Sequence, residues 1–375
     1  MSRHIANVFR LGIKELRSLR ADLVLILLIL YAFTFAIYSV ATGAKFEVEH
    51  AAVGIVDEDQ SDLSRGIRAA IIEPYFRPPV EVAASQIDQV MDQGRFVFVV
   101  EIPPKFESDL LAGENPSIQI NIDATAMTQA GNGAVYLQNI ISRAVLSFSQ
   151  RMEGVSQLPI NLVVRAKFNP NFKSEWFTAV MQVINNITIL AVILTGAALI
   201  REREQGTIEH LLVMPVTPAE IMLSKIWANG LVIVVAAVLS LLLVVQLLLQ
   251  VPVAGSLALF IAGAVLYLLS VTALGILLAT FTTSMAQFGL LAMPVLVVMN
   301  LLSGSTTPLE SMPVWLQDVM LLSPATHFVS FSQAILYRGA GLDIVWPQLL
   351  IIAAISAVVF AVSLMRFRKA IVAIQ

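Results

Sequence analysis

The sequence predicts a polytopic α-helical membrane protein with six transmembrane helices and an α/β extracytoplasmic domain inserted between spans one and two. Three observations predict it. Of 375 residues, 57% are hydrophobic and only 13% charged, whereas soluble domains are about 25% charged. Residues 176–200 and 226–309 carry no charged side chain. A polar stretch, 45–173, interrupts the apolar pattern once and is long enough to bury its own core.

A helix needs about 20 apolar residues to cross the hydrocarbon core. Residues 22–44 supply span one, with its apolar run at Leu23–Ala44, and Trp176–Ile200 supplies span two. The long uncharged stretch breaks at Gln250-Val251-Pro252 and at Thr282-Thr283-Ser284. The breaks define span three over 226–249, span four over 257–281 and span five over 287–302. Span six is 344–365. Six spans put both termini on one side.

Lys and Arg in short flanking segments set that side as cytoplasmic. Eleven of them fall at the N-terminus, between spans two and three, and at the C-terminus: Arg3, Arg10, Lys14, Arg17, Arg20, Arg201, Arg203, Lys225, Arg366, Arg368 and Lys369. On the other side, the short loop after span three has none and the segment 303–343 has only Arg338. The apolar run of span one is longer than a signal peptide's, so the reading is an uncleaved anchor.

Residues 1–21 predict a cytoplasmic amphipathic helix lying at the interface. Ile5, Val8, Phe9, Ile13, Leu16 and Leu19 recur at helical spacing, and Arg3, Arg10, Lys14 and Arg17 share another face. Such a helix sets its cations against membrane lipid.

The insert alternates strand and helix signals. Strands are expected at 51–56, 96–102, 118–122 and 162–166, and helices at 59–72, 104–111 and 126–151. Asp57, Glu58, Asp59 and Asp62 lack the glycine and glutamate spacing of an EF-hand. A turn opening a helix accounts for them instead. His327 is alone in its segment, which predicts a structural hydrogen bond rather than a metal site.

The cytoplasmic segment 201–225 has internal order. Thr207 can cap a short helix with Glu209 near its N-terminus, where the helix dipole favours an anion. Thr217-Pro218-Ala219-Glu220 is a capping-box pattern that starts the helix leading into span three. The outer segment 303–343 holds three prolines among apolar runs, as expected of a re-entrant dip.

Within the spans, Gln182, Asn185 and Asn186 lie at positions i, i+3 and i+4 of span two, and Asn300 lies late in span five. Two readings stand side by side: the lining of a pathway, or hydrogen bonds between helices. No acid, base or histidine sits in mid-span, which argues against an ion-coupled carrier. The chain has no cysteine, hence no disulfide or thiolate chemistry. A P-loop, a Gly-x-Ser-x-Gly elbow and a His-Glu-x-x-His pair are all missing. No basic tract interleaved with aromatics points to nucleic acid.

Arg201-Glu202-Arg203-Glu204-Gln205-Gly206-Thr207-Ile208-Glu209, Leu211-Leu212-Val213-Met214-Pro215 and Lys225 resemble the cytoplasmic loop of ABC-2-type transporter permeases. Gly12-Ile13-Lys14-Glu15-Leu16, Leu302-Ser303-Gly304 and Ser323-Pro324-Ala325-Thr326-His327-Phe328 are similar to the same family. Within it the chain resembles the bacterial inner-membrane, drug-efflux-like branch with a large periplasmic insert. The resemblance implies a permease subunit without enzymatic activity or cofactor of its own. It would pair with a second permease, identical or different. A separate ATP-binding cassette ATPase subunit would bind the ATP, and a periplasmic adaptor is a further candidate partner. The resemblance assigns Arg201, Glu202, Arg203, Glu204, Gly206, Thr207 and Glu209 to the ATPase-coupling interface. It assigns Gln182, Asn185, Asn186 and Asn300 to the translocation pathway, with spans two and five lining it. A mechanotransmission protein driving a periplasmic partner is the competing reading, and a secondary carrier a weaker one.

Overall fold

Six helices among the described residues are long and apolar enough to cross a membrane: Leu23–Gly43, Ser174–Glu204, Pro218–Leu248, Leu257–Ala279, Met285–Leu302 and Leu342–Ile371. They are spans one to six below. The computed structural model describes residues 2–43, 50–93, 95–123, 127–153, 173–206 and 215–372. Contacts divide the chain into two units, residues 1–44 with 175–375, and residues 45–174.

In the first unit, span two is the central helix. Of its apolar stretch 83% is buried, against 17% for spans one and six. Its partners reach it in three ways. Gly275 of span four lets the backbone of Val192 come so close that a Cβ there would stand 2.7 Å from the Val192 carbonyl oxygen. Gly196 receives the ring of Phe288 from span five. Thr188 shares a 2.7 Å hydrogen bond with the buried Tyr267 hydroxyl of span four. Close packing and hydrogen bonds are what hold helices together where lipid is as apolar as their own side chains.

Spans two and three run past their apolar runs. Span two has 31 residues, about 46 Å at 1.5 Å per residue, against a hydrocarbon core of about 30 Å. Its last turn, Arg201–Glu204, is therefore still helical where a loop is expected. Span three starts at Pro218, eight residues before its apolar run, behind the predicted capping box, with both Thr217 and Glu220 bonds present. Its far end widens into a π-helix at Leu241–Leu248. Span one is broken at Thr34, whose hydroxyl bonds the Leu30 carbonyl. In the segment after span five, Val314–Met320 and Pro324–Leu336 meet at 86°, the geometry of a broken span or a re-entrant loop. His327 Nε2 lies 2.8 Å from the Leu321 carbonyl oxygen at that corner.

The second unit is an α/β sandwich around a four-stranded sheet. The strands are β1 (Val53–Asp57), β2 (Val80–Glu81), β3 (Phe98–Ile102) and β4 (Gln119–Ile122), in the order β2-β1-β3-β4. β1 is parallel to β2 and β3, and β4 is antiparallel to β3. Alternation sends Val53, Ile55, Phe98 and Val100 into one core with Leu63, Ile67, Leu137 and Ile141. It sends Val56 and Val99 into a second core with Val82 and Phe96. Two members of the acidic cluster are hydrogen-bonded within the unit. Asp57 accepts the Gln60 amide and the Ser64 hydroxyl, and Asp59 accepts the Glu107 amide. Helix Phe106–Leu111 starts two residues later than its proline suggests, because Lys105 adopts φ +64°. The strand expected at 162–166 lies outside the described residues.

The close approach of spans two and four gives a test. Gly275→Val places side-chain atoms against backbone that cannot move aside. Overpacking of this kind costs about 1–3 kcal/mol, so the detergent-solubilised variant should melt several degrees lower; an unchanged melting temperature would refute the packing.

Candidate functional site

The N-terminal helix, Ser2–Ala21, lies against the start of span three. Gly12 makes this possible: a Cβ there would fall 2.1 Å from the Trp227 ring. The indole stacks on Phe9 with ring centres 5.6 Å apart and donates from Nε1 to the Val8 carbonyl at 3.1 Å. Arg3, Arg10, Lys14, Arg17 and Arg20 stay exposed.

Lys225, about two turns into span three, is buried beside this helix. Its Nζ lies 2.7 Å from Glu15 Oε1 and 2.8 Å from Glu202 Oε2. One cation thus joins the N-terminal helix, span two and span three. A buried charge is tolerated only with paired and well-placed partners, and two carboxylates supply them.

Glu202 belongs to a run of four residues that points four ways, as 100° per residue requires. Arg201 pairs with Asp22 at 2.7 Å. Glu202 takes Lys225, with Lys14 at 3.8 Å. Arg203 donates to the Thr282 carbonyl at 2.9 Å, in the break between spans four and five. Glu204 accepts the Met285 amide at 2.9 Å, at the N-terminus of span five, where the helix dipole favours an anion. Arg366 of span six covers the Phe281 ring at 4.5 Å. The ends of all six spans and the N-terminal helix therefore meet around Arg201–Glu204.

Asp22 also caps span one through the Leu25 amide at 3.2 Å. That amide lowers its pKa most; burial opposes the shift, and the hydrogen bond and charge of Arg201 add to the lowering. The folded value lies below the unfolded one, so the stabilisation is complete at neutral pH and is lost as pH falls through the folded value.

Gly206 ends span two with φ +67°, and its amide bonds the Arg203 carbonyl. This is a helix C-cap that a residue with a Cβ adopts only under strain. Thr207 and Glu209, with the short helix expected there, lie outside the described residues. Beyond them, Glu220 of the capping box also receives Asn7 Nδ2 at 3.1 Å and stands 2.9 Å from His4 Nδ1.

Two polar residues of span two, Gln182 and Asn186, are linked towards span one. Gln182 donates to Asn186, and Asn186 Nδ2 donates to the Ala32 carbonyl. Asn186 is thus a tie between helices inside one subunit. Asn185 is buried on the adjacent face. Asn300 is half-buried near the C-terminal end of span five, where its carbonyl accepts Ser305 Oγ at 2.9 Å. The structure does not bring Asn300 together with the span-two group by any hydrogen bond among the described residues.

Glu15, Asp22 and Trp227 are the members of this site that sequence reasoning missed. Asp22 directly before an apolar run carries a visible N-cap signal, and a lone Gly12 in a basic helix marks a close approach. The partner of a buried lysine has no local signal.

Residues 22–365 match the family described as "ABC-2 family transporter protein". The chain belongs to the ABC-2 transporter family. Among its relatives are the inner membrane transport permease YhhJ of Escherichia coli K12, 51% identical over 98% of this chain and 99% of that one, and the probable multidrug ABC transporter permease YbhR of the same strain, 31% identical over 95% and 96%. YbhS, also a probable multidrug ABC transporter permease of that strain, is 26% identical over 89% of each chain. The protein is a multi-pass inner-membrane transport permease. The ABC-2 match begins at Asp22, the cap of span one, so the N-terminal helix precedes the matched region.

The buried ion cluster of this ABC-2 permease yields a prediction. Lys225→Met leaves two carboxylates facing apolar surroundings, a loss of about 3–5 kcal/mol, read as lower membrane abundance and a lower melting temperature. Adding Glu15→Gln and Glu202→Gln should restore at least half of the loss. A single variant as stable as the parent would remove the cluster's structural role.

Proposed function

We propose that this chain is the permease subunit of an ATP-binding-cassette exporter, works as a dimer, and is driven by a separate ATPase subunit at the charged end of the bundle. That end is cytoplasmic in this reading, as are both termini, and the α/β unit faces the periplasm. The observation that carries the proposal is the Arg201–Glu204 run. Its side chains bind the N-terminal helix and spans one, three and five, so a displacement of the adjoining segment 206–214 is passed to several spans at once. Excess Lys and Arg at this end supports the orientation. The names of YbhR and YbhS support efflux of drug-like compounds.

In this reading the resemblance-based coupling residues divide by role. Arg201, Glu202, Arg203 and Glu204 act inward, as a clamp. Gly206, Thr207 and Glu209 are, by the resemblance, the surface offered to the ATPase. The pathway is built from spans two and five of both permeases. Gln182, Asn185 and Asn300 remain its candidate lining, while Asn186 holds span one.

The division predicts different failures. Glu209→Lys should cut recovery of the ATP-binding subunit from membranes by about tenfold, the effect of losing one charge-assisted contact, with normal permease abundance. Glu202→Lys should lower permease abundance itself. Affinity purification followed by mass spectrometry reads both. Full ATPase recovery with Glu209→Lys would sink the outward assignment.

A further inference from the structure

A cavity of about 150 Å³ opens beside the ion cluster, among the N-terminal helix and the ends of spans one, two and three. It has room for roughly ten water-sized groups. Its wall is two-sided. Lys14, Glu15, Arg201 and Glu202 form the polar part, and Leu25 and Leu194 belong to the apolar part. Asn229 also lines it; this residue is buried, donates from Nδ2 to the Lys225 carbonyl at 2.9 Å, and leaves Oδ1 without a partner among the described residues. A buried acceptor left unmatched is costly and marks a site where a donor is missing.

We infer that this cavity is a binding site for a zwitterionic amino-phospholipid headgroup of the leaflet on the side of the chain termini. The inference goes beyond the exporter reading and does not depend on the ATPase. Position supports a lipid: the cavity sits where an interfacial helix meets the first turn of span one and the last turn of span two, at headgroup depth. Charge selects the headgroup. Lys14, Arg201 and Lys225 are balanced by Glu15, Glu202 and Asp22, so the site offers no net attraction to an anion. At the rim, Lys14 (57% exposed) and Arg201 (35% exposed) are placed for a phosphate. At the inner end, the carboxyl oxygens of Glu15 and Glu202 and Asn229 Oδ1 are hydrogen-bond acceptors that suit an ammonium. Leu25 and Leu194 lead from there towards the acyl chains.

Native mass spectrometry of the detergent-solubilised full chain tests this. The probes are short-chain phosphatidylethanolamine, short-chain phosphatidylglycerol and free phosphoethanolamine. One phosphatidylethanolamine should be retained, about tenfold more tightly than phosphatidylglycerol, the value of one charge-assisted contact. Lys14→Gln, at an exposed position, should weaken retention by a similar factor without lowering the melting temperature. Ala198→Phe should abolish it by filling the cavity. Arg10→Gln, on the same helix but outside the cavity, should leave it unchanged. Equal binding of phosphatidylglycerol would overturn the zwitterionic assignment. Equal binding of free phosphoethanolamine would overturn the lipid assignment in favour of a soluble ligand. No retained probe, or retention indifferent to both cavity variants, would leave a water-filled cleft and overturn the site altogether.

Discussion

One buried lysine organises the charged end of this molecule. Lys225 sits within 2.8 Å of carboxylates from two other elements, the N-terminal helix and span two. Desolvating an ion costs several kcal/mol, and pairing recovers this only in good geometry. The cluster is therefore a poor source of net stability and a strong source of register. If the N-terminal helix slides by one turn, or span two rotates by one residue, Lys225 loses a partner while still buried. Apolar packing alone, being non-directional, would allow both movements at small cost. The stacked Phe9–Trp227 pair and the Gly12 contact hold the same helix in the same place by shape, so charge and packing specify one arrangement together.

Inside the bundle the same logic appears without charge. Span two is surrounded by its neighbours, and its polar groups act as fasteners: Asn186 to the Ala32 carbonyl, Thr188 to Tyr267. Neither bond competes with bulk water once the helix is in lipid, so a single amide can fix a helix pair. This alters how a polar stripe on a membrane helix is read. Gln182, Asn185 and Asn186 fit a lining or a tie equally by spacing alone, yet two of them, Gln182 and Asn186, are joined to each other and the second is spent on span one.

The spans were legible because lipid imposes a simple rule: long uncharged runs must cross, and charges must gather at the ends. The ends of the helices were less legible. Span two continues to Glu204 and span three begins at Pro218, because a helix can leave the hydrocarbon with its hydrogen bonds intact and its side chains polar. Hydropathy reports where lipid stops, not where the helix stops. In the α/β unit, β1 and β3 are legible from dense β-branched residues, whereas β2 is two residues long and follows two prolines. Its pairing comes from the sheet rather than from local propensity. The candidate site divides in the same way. Charge and caps marked the segment, but which charges face inward depends on Glu15, Asp22, Thr282 and Met285, all distant in sequence.

The two helix ends that frame segment 205–217 are both tied to the N-terminal helix, one through Glu202 and Lys225, the other through Glu220 with His4 and Asn7. Arg203 and Glu204 tie the first of them to the break between spans four and five. A force on this segment therefore meets a closed frame rather than a hinge. Moving span two or span three alone would break the buried Lys225–Glu202 pair, at about 3–5 kcal/mol; moving the frame as a body leaves it intact. The low-cost response is a collective shift of the span ends, with any sliding deferred to contacts made by close packing, such as Gly275 against Val192. A permease driven from outside its own chain, as proposed above, would need its span ends coupled in this way.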